Sequence, residues 1–186
     1  MYGTVTSDRG VGAEYAPAAA GELADIVSHP ALMVPDLAAD SKIAAIKELA
    51  DRLRGQEVVE DSLAFMQAVL ERENLSSTVL AEGRIALPHA RGRMVRRLGL
   101  AMARTRAPIE FPSGDDRQEV GMICLIAVPF DAPGLYLRLL GALARVFGDA
   151  DFVSAMEHAE TAEEMQFLLV DRARWTGRDI PNRIKE

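Results

Sequence analysis

A single cysteine, three histidines and aromatic residues at only 5% set the first limits on this chain of 186 residues. One thiol, Cys124, excludes a disulfide framework, and its place in an apolar run makes it a core residue rather than a redox centre. Three scattered histidines with no His-x-x-x-His pair make no zinc set, so no metal site is expected. The glycines form neither a P-loop nor a dinucleotide fingerprint, which leaves direct ATP chemistry and a nucleotide cofactor without support. The longest apolar run, Val120 to Phe130, falls short of the ~20 residues a bilayer span needs, and no charged-then-apolar leader opens the chain. A cytoplasmic protein without membrane insertion is therefore expected. Positive charge is also in deficit. The formal charge of -7 argues against a nucleic-acid surface covering the molecule.

What is present is apolar content of 49%, enough for one well-buried core in a chain of this length. Residues 1–20 mix Gly, Ala, Ser, Thr and Pro without period and read as a mobile tail. One domain is expected over 21–172, with a polar extension at 173–186. A helical stretch around 21–28 precedes a short strand at Ala31–Val34 and a turn at Pro35-Asp36. Ile43, Ile46, Leu49, Ala50 and Leu53 then fall on one helix face behind Ser41, a good N-cap, with Gly55 as a stop. Leu63, Met66, Val69 and Leu70 make a second stripe, ending near Arg72. In the middle the period changes: Arg84–Leu87, Leu98–Arg104 and Val120–Val128 are short apolar or alternating runs separated by turn residues, as strands of one sheet are. Helices return with stripes at Leu139, Leu140, Leu143 and Phe147, at Phe152, Ala155, Met156 and Ala159, and at Met165, Leu168 and Leu169. Thr161 and Glu164 have capping-box spacing. The order implies an α/β single-domain sandwich, a mixed central sheet of about five strands flanked by helices.

The most informative stretch is Ile85-Ala86-Leu87-Pro88-His89-Ala90-Arg91. Proline removes a donor and biases its predecessor toward extended backbone, so the strand is expected to end there and His89 to begin a connection, where functional side chains concentrate. Arg84, Arg91, Arg93, Arg96 and Arg97 gather around that histidine, either as a solvated loop or as a local anion site on an acidic protein. A neutral imidazole, with an ordinary pKa near ~6.5, is nucleophilic toward a phosphoryl group without a helper base. Positioned donors do most of the remaining work of such a transfer, and the guanidinium of Arg91 supplies them in a planar fork. His29, before Pro30, and His158, on an acidic helix face, read as bystanders.

The ordered set Leu70-Glu71-Arg72-Glu73, Ser76-Ser77-Thr78, Gly83 and Ile-Ala-Leu-Pro-His resembles the active-site region of phosphotransferase-system enzyme IIA domains of the fructose–mannitol type. The resemblance runs over roughly 25–170. It takes in Ser41-Lys42 and Ala45 to Leu49 upstream, and Leu139-Leu140, Phe147, Asp149, Phe152, Thr161, Glu163-Glu164 and Leu168-Leu169 downstream. The family includes nitrogen-regulatory members that receive phosphate without passing it to a sugar. The resemblance implies a phosphohistidine at His89, Arg72 near the phosphate, an HPr-like phosphocarrier protein as donor, and a IIB domain or a regulatory target protein as acceptor. Thr78 adds a hydroxyl to the site or is simply a turn residue, and Arg72 on residue type alone is a helix-end cation. Two departures stand out. One extra residue separates Thr78 from Ile85, and Tyr136 stands where many members have a second active-site histidine, its ring either packing or bonding His89. A rim of Leu135 and Leu139 is expected to dock the donor. The competing reading is a non-catalytic regulatory protein-binding module of the same fold; a small-anion hydrolase with His89 as base lacks a partner carboxylate.

Overall fold

A computed structural model of the chain describes Ile26, 29–80, 84–112, 115 and 117–176, without the side chains of 133, 135, 138 and 173–176. The expected tail, most of the helical stretch at 21–28 and residues 177–186 lie outside the described residues.

Six strands form one mixed sheet: β1 Met33–Leu37, β2 Val79–Leu80, β3 Ile85–Ala86, β4 His89–Gly92, β5 Gly99–Glu110 and β6 Glu119–Pro129. Among the described residues five α-helices surround it: α1 Lys42–Gly55, α2 Ser62–Leu75, α3 Pro133–Phe147, α4 Ala150–His158 and α5 Ala162–Thr176. The strand order is β1-β5-β6-β3-β2, with β4 also on β6. Residues 99–103 of β5 and 122–129 of β6 are buried without alternation, so both faces of the centre are covered. The α1–α2 pair packs on β4, β5 and β6, while α3 reaches β6 and α5 reaches β1. The sandwich expected from the sequence is the architecture observed.

Local chemistry explains most of the element ends. Ser41 Oγ accepts from Ala44 N–H, and one Asp61 carboxylate oxygen accepts from both Leu63 and Ala64 N–H. Thr161 Oγ1 accepts from Glu164 N–H, as the capping spacing predicts, and the Glu164 carboxylate reaches back to Glu160 N–H.

Three expectations are corrected. α1 ends at Gly55 as expected, but the glycine is not its left-handed cap: that conformation falls on Glu57, whose φ is 56°. Val58 N–H there donates to Leu53 O and Glu57 N–H to Arg54 O, the paired bonds of a left-handed C-terminal cap. The buried stripe of α2 is Phe65, Val69 and Glu73 rather than one including Leu63, which is exposed. No turn forms at Pro35-Asp36; β1 continues to Leu37 with a register shift after Val34, because an edge strand needs no donor on its outer side. The last helix, α5, runs to Thr176.

Candidate functional site

β3 ends at Ala86, just before Leu87-Pro88, but the chain does not leave the sheet there. β3 pairs in parallel with Met122 and Ile123 of β6, and β4 then resumes on the same neighbour, His89 opposite Ile126 and Gly92 opposite Pro129. The ring costs the ladder one donor, yet Pro88 O still accepts from Ile126 N–H at 2.9 Å, so the two short strands behave as one interrupted strand. His89 is thus the first residue of a strand backed by a buried neighbour, a correction to its expected place at the start of a connection. Along β4, Ala90 and Gly92 turn inward while His89 is half-exposed and Arg91 exposed.

The imidazole is held at both nitrogens. Nδ1 lies 3.0 Å from Leu87 O, and a carbonyl only accepts, so Nδ1 carries the proton. In the neutral imidazole the lone pair is then on Nε2, 2.5 Å from the Tyr136 hydroxyl, which donates to it. The two rings sit 5.0 Å apart at 39°. Burial pushes the Tyr136 phenol above its ordinary value, while the Arg72 guanidinium pulls it back. The phenol therefore stays a donor at neutral pH, and Arg72, in the last turn of α2, acts electrostatically on the same hydroxyl. Tyr136 belongs to the second turn of α3, whose N-cap, Ala132, makes no side-chain bond. Pro133 has no N–H, so the first-turn donors of Gly134 and Leu135 are left without a side-chain cap, and the helix dipole favours an anion there.

Behind the histidine lies a network to which residue spacing assigned no role. Lys42 and Glu73 are both buried, with Nζ 3.6 Å from Oε2. Lys42 Nζ also donates to Pro112 O at 2.8 Å and sits 4.8 Å from the centre of the Phe111 ring. Thr78 Oγ1 donates to the other Glu73 oxygen at 2.5 Å. Thr78 O in turn accepts from Leu87 N–H, and Leu87 O receives His89 Nδ1–H. Thr78 thus adjoins the site through its backbone, and its hydroxyl proton is directed to Glu73. Lys42 at i with Ala45, Ile46 and Leu49, and Glu73 with Phe65 and Val69, fall on apolar helix stripes; that placement was the available signal.

The five arginines do not converge. Arg84 pairs with Glu157, Arg96 with Glu60, and Arg97 donates to Gln56 O. Only Arg91 and Arg93 stay near β4, their guanidinium carbons 5.4 and 4.8 Å from the Phe130 ring centre. Leu139 is fully buried and cannot belong to a docking rim; the side chain of Leu135 is not described. His29 accepts from Ala31 N–H, and His158 Nδ1 lies 2.7 Å from Ser154 O, each a local contact. A cavity of about 600 Å³ opens elsewhere, between the start of α1 and the ends of β5 and β6, with Lys42, Leu70, Ile109 and Glu119 among its walls. His89 is not one of them. Among the described residues no group of acids, histidines or cysteine could hold a metal ion, and no helix is long and apolar enough to cross a membrane.

The residues on one rim of the sheet thus define a surface histidine site in an α/β sandwich. Residues 27–171 match the family model described as phosphoenolpyruvate-dependent sugar phosphotransferase system, EIIA 2, and the chain belongs to that family. It is 30% identical over 131 residues to the fructose-specific EIIA component of Haloferax volcanii, covering 70% of this chain and 84% of that one. It is 29% identical over 133 residues to the 2-O-alpha-mannosyl-D-glycerate-specific EIIABC component of Escherichia coli, covering 71% of this chain but only 20% of that larger protein. Among solved structures, the nitrogen regulatory protein IIA-Ntr of Neisseria meningitidis superposes with a TM-score of 0.68 at 28% identity, over 76% of this chain and 94% of that one.

Proposed function

We propose that the chain is a phosphoryl carrier that takes phosphate on His89 Nε2 from an HPr-like phosphoprotein and passes it to a IIB-type acceptor or uses it as a regulatory signal. The observation that carries this reading is the tautomer: Leu87 O holds the proton on Nδ1, so in the neutral ring the lone pair is on the nitrogen that meets Tyr136, and the residue is half-exposed. As a donor phosphohistidine approaches, the Nε2–P bond forms while the donor's N–P bond breaks, its electron pair returning to the donor ring. Nδ1 keeps its proton throughout. The Tyr136 hydroxyl turns from Nε2 to a phosphoryl oxygen, and Arg72 offsets the charge on the equatorial oxygens. Arg91 and the uncapped first turn of α3 supply further positive potential nearby. A IIB acceptor is supported by the relative in which A, B and C parts share one chain, and a regulatory role by the nitrogen-regulatory neighbour.

The second reading, a binding module phosphorylated poorly or not at all, draws on the hydroxyl that already occupies the Nε2 lone pair. One experiment decides. The chain is mixed with enzyme I, an HPr-like protein and labelled phosphoenolpyruvate. Acid-labile label that disappears in His89→Ala supports the carrier; no label with active donors overturns it.

A further inference from the structure

We infer that Glu73 and Thr78 are positioning residues for His89: through the Leu87 carbonyl they keep the proton on Nδ1 and the reactive lone pair on Nε2. The inference rests on the carrier reading and adds to it the means by which the ring is held in one tautomer. A neutral imidazole carries its proton on either nitrogen, and the bond made by one decides what the other offers. Here the deciding acceptor is Leu87 O, 3.0 Å from Nδ1, in the gap between β3 and β4. Leu87 is tied to the neighbouring strand by its N–H, which donates to Thr78 O at 3.0 Å, one place beyond the Val79–Ala86 pair. Among the described residues β2 spans only Val79–Leu80 and stands last in the strand order, so few ladder bonds hold Thr78 in place. Its side chain supplies the anchor. The hydroxyl donates to a fully buried carboxylate, Glu73 Oε1, at 2.5 Å, and Lys42 holds the other oxygen. Such a bond to an ionised acceptor is about twice as strong as a neutral one. It also commits the hydroxyl proton, which in a threonine without that acceptor turns to nearby backbone carbonyls.

The last turn of α2 thereby addresses the ring from two sides. Arg72 and Glu73 are consecutive, about 100° apart around the helix, and reach different neighbours. Arg72 acts on the Tyr136 hydroxyl, which donates to Nε2, while Glu73 acts through Thr78 and Leu87 on Nδ1. Packing alone does not hold this turn. Leu70 and Asn74 on it, together with Lys42, line the cavity of about 600 Å³, where the facing atoms have no partners. Directed bonds from Glu73 take over on that side. The competing account is that the Lys42–Glu73 pair merely joins α1 to α2; it predicts a change in stability and none in the tautomer.

The test uses the full chain at a pH where the His89 ring is neutral. Long-range ¹H–¹⁵N correlations of that ring report which nitrogen is protonated, and labelling by phosphoramidate, a small donor, reports its reactivity. Thr78→Val keeps the shape of the side chain and the Lys42–Glu73 pair and removes only the hydroxyl. It should move the tautomer ratio at least about threefold toward Nε2–H, the low end of what one lost hydrogen bond is worth. Labelling should fall by the same share as the Nδ1-protonated form. Thr78→Ser restores the hydroxyl and should stay within about twofold of the parent in both readouts. Glu71→Gln, on the exposed side of α2 where Glu71 accepts from Gln67, should change neither. If Thr78→Val does not fold, Lys42→Met with Glu73→Leu removes the same acceptor without leaving a buried charge, and its tautomer ratio decides instead. A variant that loses stability while Nδ1 stays as fully protonated as in the parent overturns the inference, as does a shift that Thr78→Ser fails to reverse. No labelling of the parent by phosphoramidate or by a phosphorylated HPr-like protein overturns the carrier reading, and the tautomer ratios then decide the positioning by themselves.

Discussion

Replacing Lys42 by methionine keeps the length of the side chain and deletes its ammonium from a buried site. Burial pushes Lys42 below its ordinary lysine value, and the Glu73 carboxylate pulls it back up, so the pair is a balance of opposed effects. Lys42→Met strands a buried carboxylate beside the Thr78 hydroxyl and removes the donor from Pro112 O and the cation from the Phe111 ring. Breaking one side of a buried pair costs about 3–5 kcal/mol, against about 1 kcal/mol for an exposed pair such as Lys47–Asp51. In a domain of this size each kcal/mol moves the melting temperature by about 2–4 °C, so a fall of about 6–20 °C is expected by calorimetry. Lys42→Met combined with Glu73→Leu should recover most of it, because two apolar groups leave no charge uncompensated. The recovered double variant separates stability from positioning. Thr78 has then lost its acceptor, and the ¹⁵N signals of His89 should show Nδ1 less fully protonated than in the parent. A loss below about 1 kcal/mol in Lys42→Met, or a double variant no better than the single, would refute the reasoning.

Tyr136→Phe should slow phosphorylation of His89 about 3–10-fold, the worth of one hydrogen bond, and Tyr136→His should change the phosphohistidine lifetime; rapid-quench kinetics that show no change in either remove Tyr136 from the site. Because the folded chain holds the Tyr136 proton more tightly than the unfolded one, that contribution is complete below pH ~10 and is lost as pH rises through the folded value, so alkaline melts of Tyr136→Phe should be flatter than those of the parent. Burial pushes the Cys124 thiol up to about 12, and Ellman's reagent should therefore find no reactive thiol in the native protein and one after urea unfolding. Glu57→Gly relieves a non-glycine residue at φ 56° and should raise stability by about 1 kcal/mol in urea titration; a decrease would mean that the carboxylate has a role that the cap geometry does not show.

The layers of the fold were legible because helix stripes and strand runs differ in period, and α1, α3 and the central strands answer to those periods directly. Misplaced details came from residues that serve two masters. Pro35 and Pro88 read locally as breaks, but one lies on an edge strand and the other keeps its carbonyl in the ladder, so tertiary pairing overrides the local preference. Glu73 misled the reading of α2 because a charged residue on an apolar stripe looks like an interruption until its lysine is known, and Lys42 is 31 positions away. The arginine cluster misled in the opposite sense: neighbours in sequence around a strand end leave on different sides, and Arg84 and Arg96 find acids on α4 and before α2. His89 stands out from its local stretch and Tyr136 only through the family resemblance, and nothing in their separation of 47 residues fixes the contact between them.

A strand pinned along its length by a buried neighbour does not give way easily, and His89 is mounted on one. Adding a phosphoryl group there would leave the outline of the molecule nearly untouched while setting new negative charge amid cations. Whatever protein senses the two forms would then tell them apart by electric field rather than by shape, and its discrimination should fade in concentrated salt.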